Sequence, residues 1–313
     1  MLKFFVIQKD KQRYFLDSVL TAVLDCDIDV PADSLTVTCP YDRRIADKAD
    51  KLEVSLDGEV IFTGQLDSII TVKESGGVLL RLSARGPAAA LVDNEAEPVT
   101  YSAPNARLIA NRHLAPFGIE AVDSDSKPYY EKIKIDKGMS HWQVLQSFCR
   151  NHYGTLPRIS GDGKAYLKGA DSKKTAMFSD KGEGVAYYSL NENRRRYRLL
   201  SEIRLKMEQV NAYTAQIKNQ NPDCKGIARV RYVNAAADKT TVATAQKMLQ
   251  NSNAYSYELV LKCAGCHTPL LGRRAEVKDS VLGEIKNLLV QKVRYTADKK
   301  GEQSKITLKK EQY

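Results

Sequence analysis

The fold is decided by the stretch KLEVSLDGEVIFTGQLDSIITV, residues 51–72. Leu52, Val54 and Leu56 alternate with polar residues, which predicts a strand with one buried face. Asp57-Gly58 follows, and this pair favours a tight hairpin because glycine accepts the positive φ that the turn needs. Another run of apolar and β-branched residues comes directly after the turn. The stretch therefore predicts an antiparallel hairpin.

More short strands surround this hairpin. Residues 22–30 alternate with a period of two, which predicts a strand with one buried and one acidic face. The buried face would hold Ala22, Leu24, Cys26, Ile28 and Val30, and the acidic face Asp25, Asp27 and Asp29. Gly76-Gly77 then turns the chain into the mostly apolar run Val78-Leu79-Leu80-Arg81-Leu82. Short strands with glycine turns predict an antiparallel β-barrel-like domain over residues 1–100.

The next segment mixes helical and hairpin patterns. Ser140 and Gln143 form the Ser-x-x-Gln capping box that opens a helix. Gly161-Asp162-Gly163 predicts a hairpin turn. The stretch 171–193 is rich in Lys, Ser, Gly and Asp, which predicts a loop. We therefore predict an α+β insert module and loop over residues 101–192.

The β pattern returns towards the C-terminus. Apolar and charged residues alternate over residues 228–232, which places Val230 and Tyr232 on one face of a predicted strand. Residues 240–249 have helical spacing. We predict a second β-barrel-like domain with one helix over residues 193–313. The whole chain is thus predicted to be mainly β, with two antiparallel β-barrel-like domains and a small α+β module.

The charge of the chain is distributed unevenly. The 313 residues carry a formal net charge of +10, which taken alone favours nucleic acid or an anionic surface as a partner. Residues 1–100 have a net charge of −6, residues 101–200 of +7 and the remainder of +9. This split suits two domains that face different surfaces. The candidate interface residues are Asp25, Asp27, Asp29, Arg194, Arg195, Arg196 and Arg198.

One cysteine motif has the spacing of a cofactor site. Cys263-Ala264-Gly265-Cys266-His267 matches the pattern of haem c attachment. Haem attachment belongs to exported proteins, and the apolar stretch at the start of the chain is too short for a signal peptide. A structural zinc site needs four ligands, and a second pair is missing from the sequence. We interpret Cys263 and Cys266 as free thiols and expect no cofactor; with His267 they remain the candidate metal ligands.

Several functional classes are disfavoured by the sequence as a whole. It contains no nucleophile elbow, no His-Glu-x-x-His site, no phosphate-binding loop and no dinucleotide fingerprint. We therefore expect no enzymatic activity. No apolar run approaches the roughly 18 residues of a membrane helix. Six scattered cysteines fit free thiols in a reducing compartment.

The stretch from Asp57 to Ala96 resembles the baseplate hub proteins of contractile-tailed phages, the family that includes Mu-like 43 kDa tail proteins and late control protein D. Residues 58–67 match the family pattern G-x-x-x-F-T-G-x-x-D. Ala84-Arg85-Gly86 and Leu91-Val92-Asp93-Asn94-Glu95-Ala96 follow in the family's order. The capped helix near residue 140 and the hairpin at 161–163 come after them in the same order.

The resemblance implies a structural role in a virion tail baseplate that is assembled in the bacterial cytoplasm. Hubs of this family are homotrimers in which each chain supplies two similar barrels. Three chains form a ring that joins the six-fold tail tube to the three-fold central spike. The implied partners are the tail tube protein, the spike protein, and baseplate wedge and LysM-type tail proteins. A closed ring uses two different patches on each chain, and opposite charges suit such patches.

Two other functions stay open at this point. The net charge and the cluster Arg194–Arg198 motivate a nucleic-acid-binding protein that uses the basic C-terminal two thirds. The α+β insert motivates a tail protein that binds the cell wall. No pair of acidic residues in the sequence suggests glycan hydrolysis.

Overall fold

The computed structural model describes residues 1–169, 174–206, 212–234 and 242–311, and strands make up most of its regular structure. The chain forms two compact units. Unit 1 comprises Met1–Lys174, Cys263–Arg273 and Gln291–Ile306, and unit 2 comprises Thr175–Lys262, Arg274–Val290 and Thr307–Tyr313. The predicted fold class, mainly β with an α+β module, is confirmed. The predicted boundaries at residues 100 and 192 stay a prediction.

An antiparallel sheet forms the first part of unit 1. Its elements are β1 (Leu2–Gln8), β2 (Arg13–Phe15), β3 (Thr21–Asp27), β4 (Ser34–Pro40), α1 (Arg43–Lys48), β5 (Ala49–Leu56), β6 (Glu59–Glu74), β7 (Gly77–Arg85) and α2 (Ala88–Asp93). The strands lie in the order β3-β4-β7-β6-β5-β1-β2. Alternate residues point to one face, so Val6, Leu24, Val37, Phe62 and Leu82 are buried in one core.

The hairpin predicted at Asp57-Gly58 is confirmed. β5 and β6 pair antiparallel up to Leu56 and Glu59, which leaves a two-residue turn. Asp57 has a φ of 52° and Gly58 a φ of 95°. Both values lie in the left-handed region, as the favoured two-residue hairpin turn requires.

The strand predicted over residues 22–30 ends earlier than its alternation suggests. β3 stops at Asp27, whose Oδ1 accepts a hydrogen bond from the backbone N–H of Asp29 at 3.0 Å. The N–H of Val30 donates to the carbonyl oxygen of Asp27. This turn places Asp29 outside the strand face and leaves Val30 48% exposed. Aspartate forms such local turns readily, and here the turn overrides the apolar period.

The α+β module follows within unit 1. Its elements are β8 (Thr100–Tyr101), α3 (Ala106–His113), β9 (Glu120–Ala121), β10 (Ile133–Lys134), α4 (His141–Tyr153), β11 (Arg158–Ile159) and β12 (Lys164–Tyr166). The predicted capping box is present: Ser140 Oγ accepts from the N–H of Gln143, and the Gln143 side chain accepts from the N–H of Ser140. α3 and α4 bury a shared core that includes Ile109, Leu145 and Phe148.

The hairpin between β11 and β12 packs directly on the backbone of β6. The N–H of Thr63 donates to the carbonyl oxygen of Gly161 at 2.6 Å. A Cβ atom on Gly161 would lie 2.1 Å from the carbonyl oxygen of Ile61. Only glycine permits this approach, so the turn predicted from Gly161-Asp162-Gly163 also docks the module on the first sheet.

A buried ion pair supports the same junction. The Arg158 guanidinium on β11 donates to the Asp33 carboxylate in the connection between β3 and β4. Their side chains are only 9% and 4% exposed. Burial raises the pKa of Asp33, and the adjacent Arg158 opposes that rise. The pair thus joins the module to the first sheet through a contact shielded from water.

Unit 2 mixes parallel and antiparallel pairs. The remaining elements are β13 (Thr175–Ser179), β14 (Val185–Ala186), β15 (Ser189–Arg194), β16 (Glu202–Lys206), β17 (Ala215–Lys218), β18 (Val230–Asn234), α5 (Val242–Ser256), β19 (Tyr257–Ala264), β20 (Arg274–Asp279), β21 (Gly283–Asp298) and β22 (Gly301–Lys310). β19, β21 and β22 contribute residues to both units. β13 pairs parallel with β20, and β16 pairs parallel with β18. None of the helices in the described residues combines the length and apolarity that a membrane crossing requires.

The loop predicted over residues 171–193 contains three strands, β13, β14 and β15. Ala176 and Phe178 are buried opposite Ala275 and Val277 of β20. Two apolar residues among many polar ones give little local signal, and the pairing partner lies about a hundred residues away. β13 therefore forms by pairing with a strand that is distant in the sequence, and the local composition does not reveal it. Residues 171–173 of this prediction lie outside the described residues.

Candidate interaction site

The predicted acidic face of β3 is neutralised within unit 1. In the antiparallel pair of β3 and β21, Arg294 lies opposite Asp25 and Lys292 lies opposite Asp27. Asp25 accepts from Lys292 at 2.9 Å and from Arg294 at 2.6 Å, and Asp27 lies 3.5 Å from Lys292. Opposite charges directly across a strand pair stabilise it. Asp25 and Asp27 thus have basic partners inside the chain, and the role of the three candidate acidic residues at an interface stays a prediction.

The predicted basic cluster divides into paired and unpaired arginines. Arg194 pairs with Glu192 at 3.0 Å. Arg195 makes two hydrogen bonds to the Glu258 carboxylate, at 2.8 and 3.2 Å. Arg196 donates to the carbonyl oxygen of Lys225, and the Arg198 guanidinium lies 5.4 Å from the ring centre of Tyr197. Arg196 and Arg198 form no ion pair with any carboxylate of the described residues.

Two further arginines join Arg198 around a cavity of about 440 Å³ in unit 2. We call this feature the arginine cavity. Its lining consists of Tyr197, Arg198, Leu200, Arg229, Arg231, Met248, Asn251, Ser252 and Tyr255. Arg229 and Arg231 are exposed, and neither pairs with a carboxylate of the described chain. The lining thus combines three cations with apolar and aromatic side chains, and none of its members is acidic.

The alternation of side chains along β18 brings Arg231 into the arginine cavity. The sequence places Val230 and Tyr232 together on one face, and both are exposed, by 36% and 56%. The buried residue of this strand is Val233, which packs with Ile203 and Ala245 against α5. Arg231 therefore lies on the side of the strand that α5 covers. The alternation signals the strand correctly but not which face is buried, because that depends on how α5 packs over β16 and β18.

The cysteine motif lies at the end of β19. Cys263 is fully buried, and burial raises the pKa of its thiol to about 11. Cys266 Sγ lies 3.4 Å from Thr268 Oγ1, and His267 Nε2 lies 2.9 Å from the carbonyl oxygen of Ala264. The described residues contain no group of three or more side chains placed to hold a metal ion.

Comparison with solved structures gives whole-chain matches. No family model matches the chain, and no curated protein resembles it significantly in sequence. A tail protein from Neisseria meningitidis MC58 superposes with a TM-score of 0.77 at 20% identity, over 99% of this chain and 96% of that protein. The 43 kDa tail protein of prophage MuSo2 from Shewanella oneidensis gives 0.80 at 16%, over 99% and 98%. The chain has the fold of these tail proteins.

A third match extends the fold to another bacterium. The prophage tail protein gp18 from Listeria monocytogenes EGD-e superposes with a TM-score of 0.60 at 12% identity, over 99% of this chain and 95% of that protein. The resemblance seen in the sequence is thus confirmed at the level of the fold. It spans both units and the α+β module, since nearly the whole chain is covered.

Proposed function

We propose that this chain is a structural component of a phage tail or tail-like particle, and specifically a baseplate hub. The observation that carries the proposal is the fold match over 99% of the chain to tail proteins that are covered nearly end to end. Fold alone does not define function. The match becomes informative because it covers 99% of this chain and 96% and 98% of those two proteins.

The hub acts as a homotrimeric ring that joins the six-fold tail tube to the three-fold spike. Each chain has two compact units, so three chains supply six. Ring closure uses one patch on each unit, and the proposed neighbours are the tube, spike, wedge and LysM-type proteins of the baseplate. The chain works at the virion tail by binding, with no catalytic step.

Electron microscopy of the purified full chain tests this proposal. Class averages are expected to show a ring with three-fold symmetry. Addition of the tail tube protein of the same particle should produce assemblies with the ring at one tube end. Single particles of one chain, or a ring without three-fold symmetry, would contradict the proposal.

Nucleic acid is the second candidate ligand, because four exposed arginines (Arg196, Arg198, Arg229 and Arg231) lack carboxylate partners among the described residues. That function predicts binding that weakens steeply with salt. Filter binding of labelled DNA at moderate salt distinguishes it from the hub, for which no retention is expected.

A further inference from the structure

The arginine cavity is held in a fixed shape. The carbonyl oxygen of Arg229 accepts from both the N–H and the Oγ of Ser201, each at 2.9 Å, and its N–H donates to Ser201 Oγ at 3.0 Å. The N–H of Leu200 donates to Ser252 Oγ of α5 at 3.3 Å. The N–H of Arg198 donates to the carbonyl oxygen of Arg195. Binding in this cavity requires little ordering of the backbone, which favours affinity.

Its lining specifies the chemistry of the ligand. Guanidinium groups bind carboxylates in a planar, bidentate geometry. Leu200 is buried and Met248 half-buried, so the cavity also offers apolar surface between the arginines. A matching ligand carries two or more carboxylates close to aliphatic side chains.

The end of α2 and the connection that follows it, in unit 1, have this chemistry. Residues 92–99 are exposed except for Ala96, which is 1% exposed. Side chains of extended backbone alternate, so Glu95 and Glu97 on either side of Ala96 point outward. Val92 and Val99 are 40% and 38% exposed at the two ends. We call residues 92–99 the acidic segment.

The backbone of the acidic segment is also fixed. The N–H of Ala96 donates to the carbonyl oxygen of Met139, and the carbonyl oxygen of Val99 accepts from the N–H of Ile135, each at 2.8 Å. Glu97 forms no ion pair within the described chain, the Glu95 carboxylate accepts from the backbone N–H of Gly138, and Asp93 pairs with Arg85. The carboxylates are therefore displayed from a rigid, exposed backbone.

We infer that the arginine cavity of one copy binds the acidic segment of a second copy. The inference rests on the proposed homotrimer and assigns it a contact between unit 2 of one chain and unit 1 of the next. Such a contact joins two different patches, which is what a closed ring needs. Three cations meet two carboxylates and two valines, so charge and apolar surface are complementary.

Nucleic acid fits these residues less well. A phosphate backbone is followed by cations spaced along a track. Arg194 and Arg195 would extend such a track, but they are already paired with Glu192 and Glu258. Apart from Arg196, what remains is a compact set of three arginines around one cavity that also presents Leu200 and Met248.

A charge swap in the full chain tests the inference. Sedimentation velocity measures the concentration at half-assembly for the wild type, for R198E/R229E, for E95K/E97K and for the four changes combined. Each double variant should raise that concentration more than about tenfold, since like charges then face each other. The combined variant should return that concentration to within about threefold of the wild type.

The matched control K181E/K305E makes the same change in charge at two exposed lysines and should assemble at the same concentration as the wild type.

The alternatives give different results. If R198E/R229E assembles like the control, or if the combined variant does not recover, the inference is overturned while the homotrimer stands. A wild-type chain that stays monomeric overturns both. Fluorescence anisotropy with a labelled single-stranded oligonucleotide supplies a further check: binding that R198E/R229E abolishes without any effect on assembly assigns the cavity to nucleic acid and overturns the inference. Circular dichroism verifies that each variant is folded.

Discussion

At the scale of single residues, a buried pair of histidines in unit 1 links stability to pH. His113 is 3% exposed at the end of α3, and its Nδ1 lies 3.0 Å from Nδ1 of His141. Tyr101 Oη lies 3.3 Å from the other ring nitrogen of His113. These contacts include no acidic partner for a protonated imidazole, so burial and the neighbouring His141 lower the pKa of His113 to about 4.

This shift predicts loss of stability in mild acid. The unfolded chain binds a proton at His113 near pH 6.5 and the folded chain only near pH 4, so the stabilisation is fully present above pH 6.5 and is lost as the pH falls towards 4. Urea titrations across this range should show a decrease of roughly 2 to 3 kcal/mol in the free energy of unfolding from this residue. His113→Gln should remove most of that dependence, whereas His267→Gln should retain it. An unchanged pH dependence in H113Q would contradict this account.

The ion pair of Arg158 and Asp33 predicts a strongly asymmetric mutant series. Arg158→Met leaves a buried carboxylate without its cation, and should destabilise the chain by about 3 to 5 kcal/mol. The double variant R158M/D33L removes both charges and should recover most of that loss. Guanidinium denaturation measures each value.

An exposed ion pair provides the control for this series. Arg13 and Glu53 lie 2.6 Å apart, with the Arg13 side chain 47% exposed. Arg13→Ala should therefore cost no more than about 1 kcal/mol. Equal effects of R13A and R158M would refute the claim that burial decides the importance of the Asp33 pair.

At the scale of elements, the close packing of one hairpin on β6 decides whether the α+β module docks. Gly161→Ala places a Cβ atom against the carbonyl oxygen of Ile61 and should lower the free energy of unfolding by about 2 kcal/mol or more. Limited proteolysis should then cut first within residues 155–169. Gly76→Ala is the control, since nothing lies within 4 Å of a Cβ at that position. A stable, protease-resistant G161A protein would contradict this docking role.

Elements with strong local signals could be predicted from the sequence. The Asp57-Gly58 turn fixes β5 and β6, and the Ser140 capping box fixes the start of α4, because each depends on residues next to one another. β13 and the neutralised face of β3 could not be predicted, since β20 and β21 complete them from distant parts of the chain. Among the site residues, the cluster Arg194–Arg198 was visible in composition. The sequence does not show which arginines of that cluster form ion pairs within the chain. Nor does it show that Arg198 lies beside Arg229 and Arg231, because that depends on the packing of α5.

At the scale of the whole molecule, the uneven charge has a structural interpretation. Part of the acidity of residues 1–100 is cancelled within unit 1, as at Asp25 and Asp27. The charges that are not cancelled in this way include Glu97 of the acidic segment and the unpaired arginines of unit 2. Net charge alone favours nucleic acid, whereas its distribution over two units favours contacts between copies.

The mass of the full chain in solution tests the central claim most directly. Light scattering on the size-exclusion peak should give about 105 kDa, three times the 35.0 kDa of one chain. The trimer should shift towards monomer as salt is raised, because charged contacts at its surface are screened. A mass of about 35 kDa at every concentration and salt would contradict the proposal that this chain closes into a trimeric hub.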